Sequence, residues 1–211
     1  MTLSALALCA AAYVLGGVPT GVLFGRFAGR DPRAGGSGNI GATNVTRTLG
    51  RAWGAATLVV DLLKGLAPVL AAHALADADD TRALAAAAGL SAVIGHCYSP
   101  FLRLRGGKGV ATAFGAMLGL AWPIASLAAV LWVAVVVIGR VAALGSLAAM
   151  ACFVAVAFLD DQPSAVQAFA LLTAALVTVR HADNIRALRQ PRPAHRMPRA
   201  PKSPKRRAQR R

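Results

Sequence analysis

Residues 110–159, VATAFGAMLGLAWPIASLAAVLWVAVVVIGRVAALGSLAAMACFVAVAFL, carry a single charged side chain, Arg140. One continuous helix of that length would extend roughly 75 Å, more than twice a bilayer hydrocarbon core of about 30 Å. The stretch therefore has to turn back on itself, and it divides at Pro123 and at Gly139–Arg140 into apolar runs near 110–122, 124–138 and 141–159. Four further runs lie outside it, near 2–25, 52–72, 82–98 and 164–180. With 56% apolar and only 15% charged residues, the composition excludes an ordinary soluble domain. The expected fold is all-α: a polytopic integral membrane bundle of about seven transmembrane helices with polar cytoplasmic loops. The runs at 110–122 and 124–138 fall short of the roughly 20 residues that a crossing needs. Tilt, shielding by neighbouring helices or a bent hairpin around Pro123 would accommodate them. Five full spans are the alternative, with the same sidedness, because removing two crossings preserves parity.

Charge sets the orientation. Of 23 Lys and Arg residues, 21 fall in the connections at 26–51, 99–109 and 139–140 and in the tail from Arg180, all on one face of such a bundle. The opposite connections hold Asp77, Asp79, Asp80, Asp160 and Asp161 against Arg82 alone. Because Lys and Arg in short loops are retained in the cytoplasm, the basic face is cytoplasmic and the N-terminus lies outside. Residues 2–25 lack the basic opening of a secretory signal. The three cysteines, Cys9, Cys97 and Cys152, are too scattered for a disulfide framework or a thiolate metal site.

Residues 1–189 read as one transmembrane domain, and 190–211 as a Pro- and Arg-rich, disordered cytoplasmic tail. Such a tail is suited to anionic lipid headgroups, at about 1 kcal/mol per basic residue near the surface. It lacks the aromatic residues that stack on nucleobases, and no nucleic-acid partner is expected.

The cytoplasmic connections hold the candidate chemistry. The first runs from Gly35 through Ser37, Gly38, Asn39, Gly41, Thr43, Asn44 and Arg47 to Gly50. Glycines permit the bends that aim successive N–H groups at one anion, and hydroxyls, amides and Arg47 supply further donors. A phosphate-binding loop and a flexible polar linker both fit this composition. No Gly-Lys-Ser/Thr ending is present, which excludes a P-loop nucleotide site.

The second connection carries Gly106, Gly107, Lys108 and Gly109 just before an apolar run, so Lys108 and free N–H groups at a helix start can meet one anion. A basic juxtamembrane loop also arises as a topogenic signal alone. His96, ahead of this loop, reads as a packed residue. The third cluster, Arg180, His181 and Asn184, falls at helical neighbour spacings that present donors on one face. Positive charge at a helix C-terminus is the alternative reason for it. Within the second apolar run, Asp61 and Lys64 can pair on one helical face, either as functional charges or as a structural pair. Ser146 adds a hydroxyl on the cytoplasmic side, or serves helix packing.

In their order and on one membrane face, these three loops resemble those of the acyl-phosphate-dependent glycerol-3-phosphate acyltransferases, the PlsY type. The residues that carry the resemblance are Gly36–Val45 with Arg47–Gly50, Gly106–Thr112, and Arg180, His181, Asn184 and Ile185. It implies transfer of a fatty acyl group from acyl phosphate to the 1-hydroxyl of sn-glycerol 3-phosphate, giving lysophosphatidic acid and phosphate. This is the first step of bacterial phospholipid synthesis, at the inner membrane, with no cofactor and no metal. By resemblance, the substrate-binding residues are Ser37, Gly38, Asn39, Gly41, Thr43, Asn44, Arg47, Lys64, Gly106, Gly107, Lys108, Gly109, Ser146, His181 and Asn184. His181, Asn184, Lys108 and Ser37 among them are catalytic.

The chain departs from the family pattern in lacking the Gly-x-Glu expected after the third loop, and it contains no Glu at all. No His is followed by Asp five positions on, which sets aside the His-x4-Asp mechanism of soluble-domain acyltransferases. A carrier for a phosphorylated metabolite is the reading from another class, and would place its site near the midplane.

Overall fold

The computed structural model describes residues 2–75 and 81–189. The acidic connection around Asp77–Asp80 and the tail from 190 lie outside the described residues. The described residues form helices and no strands. In chain order these are α1 (Leu3–Gly17), α2 (Thr20–Phe27), α3 (Ala42–Leu49), α4 (Arg51–Leu75), α5 (Thr81–Cys97), α6 (Val110–Leu120), α7 (Trp122–Gly139), α8 (Ala142–Leu159), α9 (Ser164–Arg180) and α10 (Ala182–Arg189), with single 3-10 turns at Pro32–Ala34 and Pro100–Leu102.

Among the described residues, five segments are long and apolar enough to cross a membrane: Leu3–Phe27, Arg51–Leu75, Thr81–Leu102, Trp122–Gly139 and Ala142–Leu159. Helices α6 and α9 are the shorter apolar members. The first crossing is broken at Val18–Pro19, where proline cannot continue the hydrogen-bond ladder. That break leaves the Val18 carbonyl open to accept from Lys64 Nζ at 2.6 Å.

Helix α6 has only 11 residues, yet it packs closely against the middle of α4. The approach requires glycine on both sides. A Cβ on Gly65 would stand 1.9 Å from the Thr112 carbonyl oxygen, and one on Gly115 would stand 1.8 Å from that of Leu62. Small residues at such crossings allow backbones to approach closely where no hydrophobic force drives association in lipid. A short helix is thus enclosed by neighbours, with Val93, Met117, Phe153 and Phe169 fully buried about it.

The turn expected at Pro123 falls two residues earlier, at Ala121. Proline has no N–H to lose in the first turn of a helix, so Pro123 opens α7 instead of bending it. Helix α7 leaves Val130, Val133, Val137 and Ile138 exposed, as a lipid-facing helix does, and pairs with α8 as a hairpin tied by Trp132 Nε1 donating to Ser146 Oγ at 3.3 Å.

Candidate active site

The first connection is shaped from within by Asn44, in the first turn of α3 and 2% exposed. Its Oδ1 accepts the Ser37 N–H at 2.8 Å, and its Nδ2 donates to the carbonyls of Asn39 at 2.7 Å, Pro32 at 2.8 Å and Gly35 at 3.2 Å. Both amide hydrogens are therefore committed to the loop. Asn44, expected to meet substrate, is the brace of the loop, with no donor left for an anion. Asn39 Oδ1 similarly accepts the Gly41 N–H at 2.8 Å. The side-chain donors of this loop that line the cavity without a bond inside the loop include the hydroxyls of Ser37 and Thr43, the Asn39 amide nitrogen and the guanidinium of Arg47.

The second connection is held from outside. Gly107 N–H donates to the His96 carbonyl at 2.9 Å and Gly106 N–H to that of Cys97 at 3.1 Å. Arg180 Nε and a terminal nitrogen donate to the Gly107 and Gly106 carbonyls at 3.0 and 2.8 Å, and its guanidinium lies over the Tyr98 ring at 5.4 Å. A Cβ on Gly107 would stand 2.2 Å from His96 Nε2, so the ring and the loop fit only with glycine there. This packing carries Lys108 to the start of α6, where its Nζ donates to Asn184 Oδ1. Burial, reinforced by the Arg180 charge, holds the Lys108 ammonium below the usual lysine range.

The third cluster is not one continuous helical face. Helix α9 ends at Arg180, His181 caps it, and α10 restarts at Ala182. The turn sends Arg180 to the second loop and brings His181 and Asn184 to the cavity wall. His181 is buried, and its Nδ1 lies 2.8 Å from the Val177 carbonyl oxygen. Because a carbonyl can only accept, Nδ1 carries the hydrogen and Nε2 keeps its lone pair. Burial, together with the Lys108 charge, holds the His181 pKa below the ordinary histidine value.

Ser37, Asn39, Gly41, Thr43, Asn44, Arg47, Lys108, Gly109, Ser146, His181 and Asn184 surround one cavity of about 880 Å³. Its polar end is the loops. Its apolar wing runs between Leu58 and Leu62 of α4 and Ala129, Trp132 and Val133 of α7, with Phe114 of α6 between them.

Lys64 does not line this cavity. It is buried behind Asp61, bonded to Asp61 Oδ1 at 2.8 Å and to Thr20 Oγ1, and the Val18 carbonyl takes its third hydrogen. Of the two readings of Asp61 and Lys64, the geometry is that of a structural pair, whose Asp61 lines the cavity and lies 3.9 Å from His96 Nδ1. Gly38 and Gly106 line a second recess of about 620 Å³ beside Arg103 and Arg105, while Gly107 faces neither space.

Residues that sequence reasoning passed over also line the main cavity: Arg51 at the start of α4, Arg140 at the end of α7, and Trp132. Both arginines were visible only as topogenic charges. The signal that could have singled them out is their position, Arg51 where the glycine-rich loop meets an apolar run and Arg140 between two apolar runs.

The chain matches a family model described as glycerol-3-phosphate acyltransferase over residues 6–191. It is 50% identical over 192 residues to the glycerol-3-phosphate acyltransferase of Geobacter sulfurreducens, covering 89% of this chain and 95% of that protein. It is 46% identical over 175 residues to that of Myxococcus xanthus, covering 82% and 90%. Among solved structures it is similar to PlsY, an integral membrane glycerol 3-phosphate acyltransferase. The TM-score is 0.82 for that protein's glycerol 3-phosphate form and 0.80 for its lysophosphatidic acid form, both at 34% identity, covering 88% of this chain and 92% and 91% of those chains.

Proposed function

The chain belongs to the glycerol-3-phosphate acyltransferase family and is a membrane-embedded acyltransferase, and on that premise we propose that its donor is a long-chain acyl phosphate and that both substrates react within the main cavity. The observation that carries the proposal is the continuity of that cavity, from a cationic, N–H-rich end at the loops to an apolar wing between α4 and α7. An acyl phosphate has the same two-part character: a tail suited to the wing and an anionic head suited to the loops.

Glycerol 3-phosphate is polar throughout and sits at the loop end, its phosphate met by Ser37, Thr43, Arg47 and Lys108. Holding both reactants in one place supplies a large part of the rate. The 1-hydroxyl oxygen attacks the donor carbonyl carbon. The bond from that carbon to the phosphate oxygen breaks, and phosphate departs with the electron pair. Lys108, oriented by Asn184, stabilises the charge that grows on the carbonyl oxygen and the leaving phosphate.

His181 accepts the hydroxyl proton at Nε2, the nitrogen left free by the bond from Nδ1 to Val177, and returns it to the departing phosphate. Its lowered pKa keeps the imidazole neutral and able to accept at neutral pH. The products are lysophosphatidic acid and phosphate. An acyl phosphate is already activated, so no serine nucleophile is needed.

The charge distribution supports a cytoplasmic site at a bacterial inner membrane with the N-terminus outside, and the basic composition of residues 190–211 suits anionic lipid headgroups. The carrier reading gives way, because the polar groups gather at one end of the helices.

Purified protein incubated with palmitoyl phosphate and glycerol 3-phosphate, without ATP or metal, is expected to yield lysophosphatidic acid and phosphate in equal amounts by mass spectrometry. Product formed only from an acyl thioester would overturn the donor assignment. For the base, His181→Asn is expected to lose the acid limb of the kcat/KM profile, which lies below the ordinary histidine range. A retained limb would assign it to a substrate phosphate, whose second pKa is about 6.

A further inference from the structure

The turn joining α7 to α8 consists of Arg140 and Val141, and Arg140 adopts φ 52, ψ 22, the left-handed conformation that commonly ends a helix and is ordinarily glycine's. A glycine does stand at the end of α7, but one position earlier at Gly139, and a bulky side chain occupies the left-handed site. Backbone of this kind clusters at functional sites, and of the four described non-glycine residues with positive φ, Arg103, Leu104, Arg140 and Asp161, only Arg140 lines the main cavity. Among the described residues the Arg140 guanidinium makes no hydrogen bond or ion pair, and it lines the main cavity. Ala129 and Val133 lie eleven and seven residues before it, on the same helical stripe, and both line the apolar wing. A chain lying along that stripe therefore carries its head group up to Arg140, while Lys108, His181 and Asn184 reach the cavity from α6, α9 and α10.

We infer that Arg140 is a donor-specific binding residue whose guanidinium grips the phosphate of the acyl phosphate at the mouth of the α4–α7 cleft. The acceptor phosphate is left to the two loops. The planar fork of arginine suits a phosphate bidentately, as a lysine ammonium does not. The inference rests on the acyl phosphate reading above. It divides the cationic groups of the cavity between two phosphates.

Steady-state kinetics of the full chain with palmitoyl phosphate and glycerol 3-phosphate test it. Arg140→Gln is expected to raise KM for palmitoyl phosphate by about tenfold or more, with KM for glycerol 3-phosphate within about twofold of wild type. Arg140→Gly restores the favoured residue to the left-handed turn, so it is expected to show the same kinetic defect with an unchanged or higher Tm. Arg140→Lys keeps the topogenic charge and the cation at the helix end, and still raises the donor KM. A donor KM within about twofold of wild type in both the Gln and Gly variants, or a rise confined to glycerol 3-phosphate, would overturn the assignment. Absence of wild-type turnover of palmitoyl phosphate would instead sink the donor reading, and this inference with it.

Discussion

Residues 35–49 and residues 99–109 both set glycines beside a cationic side chain, yet one stretch is braced by its own Asn44 and the other is tied to α5 and α9. In the first, Asn44 ties Pro32, Gly35, Ser37 and Asn39 together, and every partner lies within twelve residues of it. In the second, Arg180 reaches Gly106 and Gly107 across more than seventy residues of sequence, and the His96 ring fixes how close Gly107 comes. A self-braced loop presents its outward donors already aimed. A loop braced from elsewhere moves whenever α5 or α9 moves, and so couples the position of Lys108 to the packing of the bundle.

The contrast breaks most readily at its first half. Asn44→Ala takes the side-chain partner from the Ser37 N–H and from the Pro32 and Asn39 carbonyls and leaves the Gly35 carbonyl with the Gly38 N–H alone, at about 1–3 kcal/mol for each group that stays buried and unpaired. Turnover with glycerol 3-phosphate is expected to fall by about a hundredfold in protein that still extracts as a monodisperse species. Near-normal turnover would mean that the loop is shaped by something other than Asn44.

Removing the donors themselves comes next. Lys108→Ala and Arg47→Ala are each expected to lower kcat/KM by at least about tenfold, near 1.4 kcal/mol of transition-state stabilisation. Unchanged kinetics in either folded variant would take that residue out of the site.

Arg180→Lys sharpens the second half. One ammonium cannot reproduce two fixed N–H bonds and the stacking on Tyr98, so Lys108 is expected to be less well placed. A kcat reduced by about threefold to tenfold, at little changed KM, is the expected result. Full activity would show that the carbonyl bonds are incidental.

The smallest effect is in pH. Lysine is charged below its pKa, and that of Lys108 is lowered by burial, so kcat/KM is expected to fall as pH rises through a value below the usual lysine range. In Lys108→Arg the group stays charged throughout, and the basic limb should move up or vanish. A limb unmoved by that substitution belongs to another group.

The same contrast explains what could be read from the chain without its structure. The helical class and the three loops were legible because they are written locally, as apolar runs and glycine-rich connections. The committed amide of Asn44 was not, because Asn is as good a phosphate donor as a loop brace until its partners are placed. Lys64 was left between a functional and a structural reading for a similar reason. Its spacing from Asp61 was visible, but the open carbonyl of Val18 and the hydroxyl of Thr20 come from another helix. Arg180 and His181 were set on one helical face because nothing in their spacing marks the break at 181, where the chain turns from α9 into α10. Arg140 looked like a charge that fixes topology, and only its left-handed backbone and its place above Val133 suggest more.

The central claim is that one cavity joins a phosphate cradle to a cleft in which the donor's tail lies between α4 and α7. Photo-crosslinking of the intact protein with a palmitoyl phosphate analogue bearing a diazirine near mid-chain, read by peptide mass spectrometry, tests it most directly. Adducts on α4 around Leu58 and Leu62 and on α7 around Ala129 and Val133, suppressed by excess palmitoyl phosphate, are the predicted result. Adducts confined to the outer faces of α1 or α9, with none in the cleft, would contradict it.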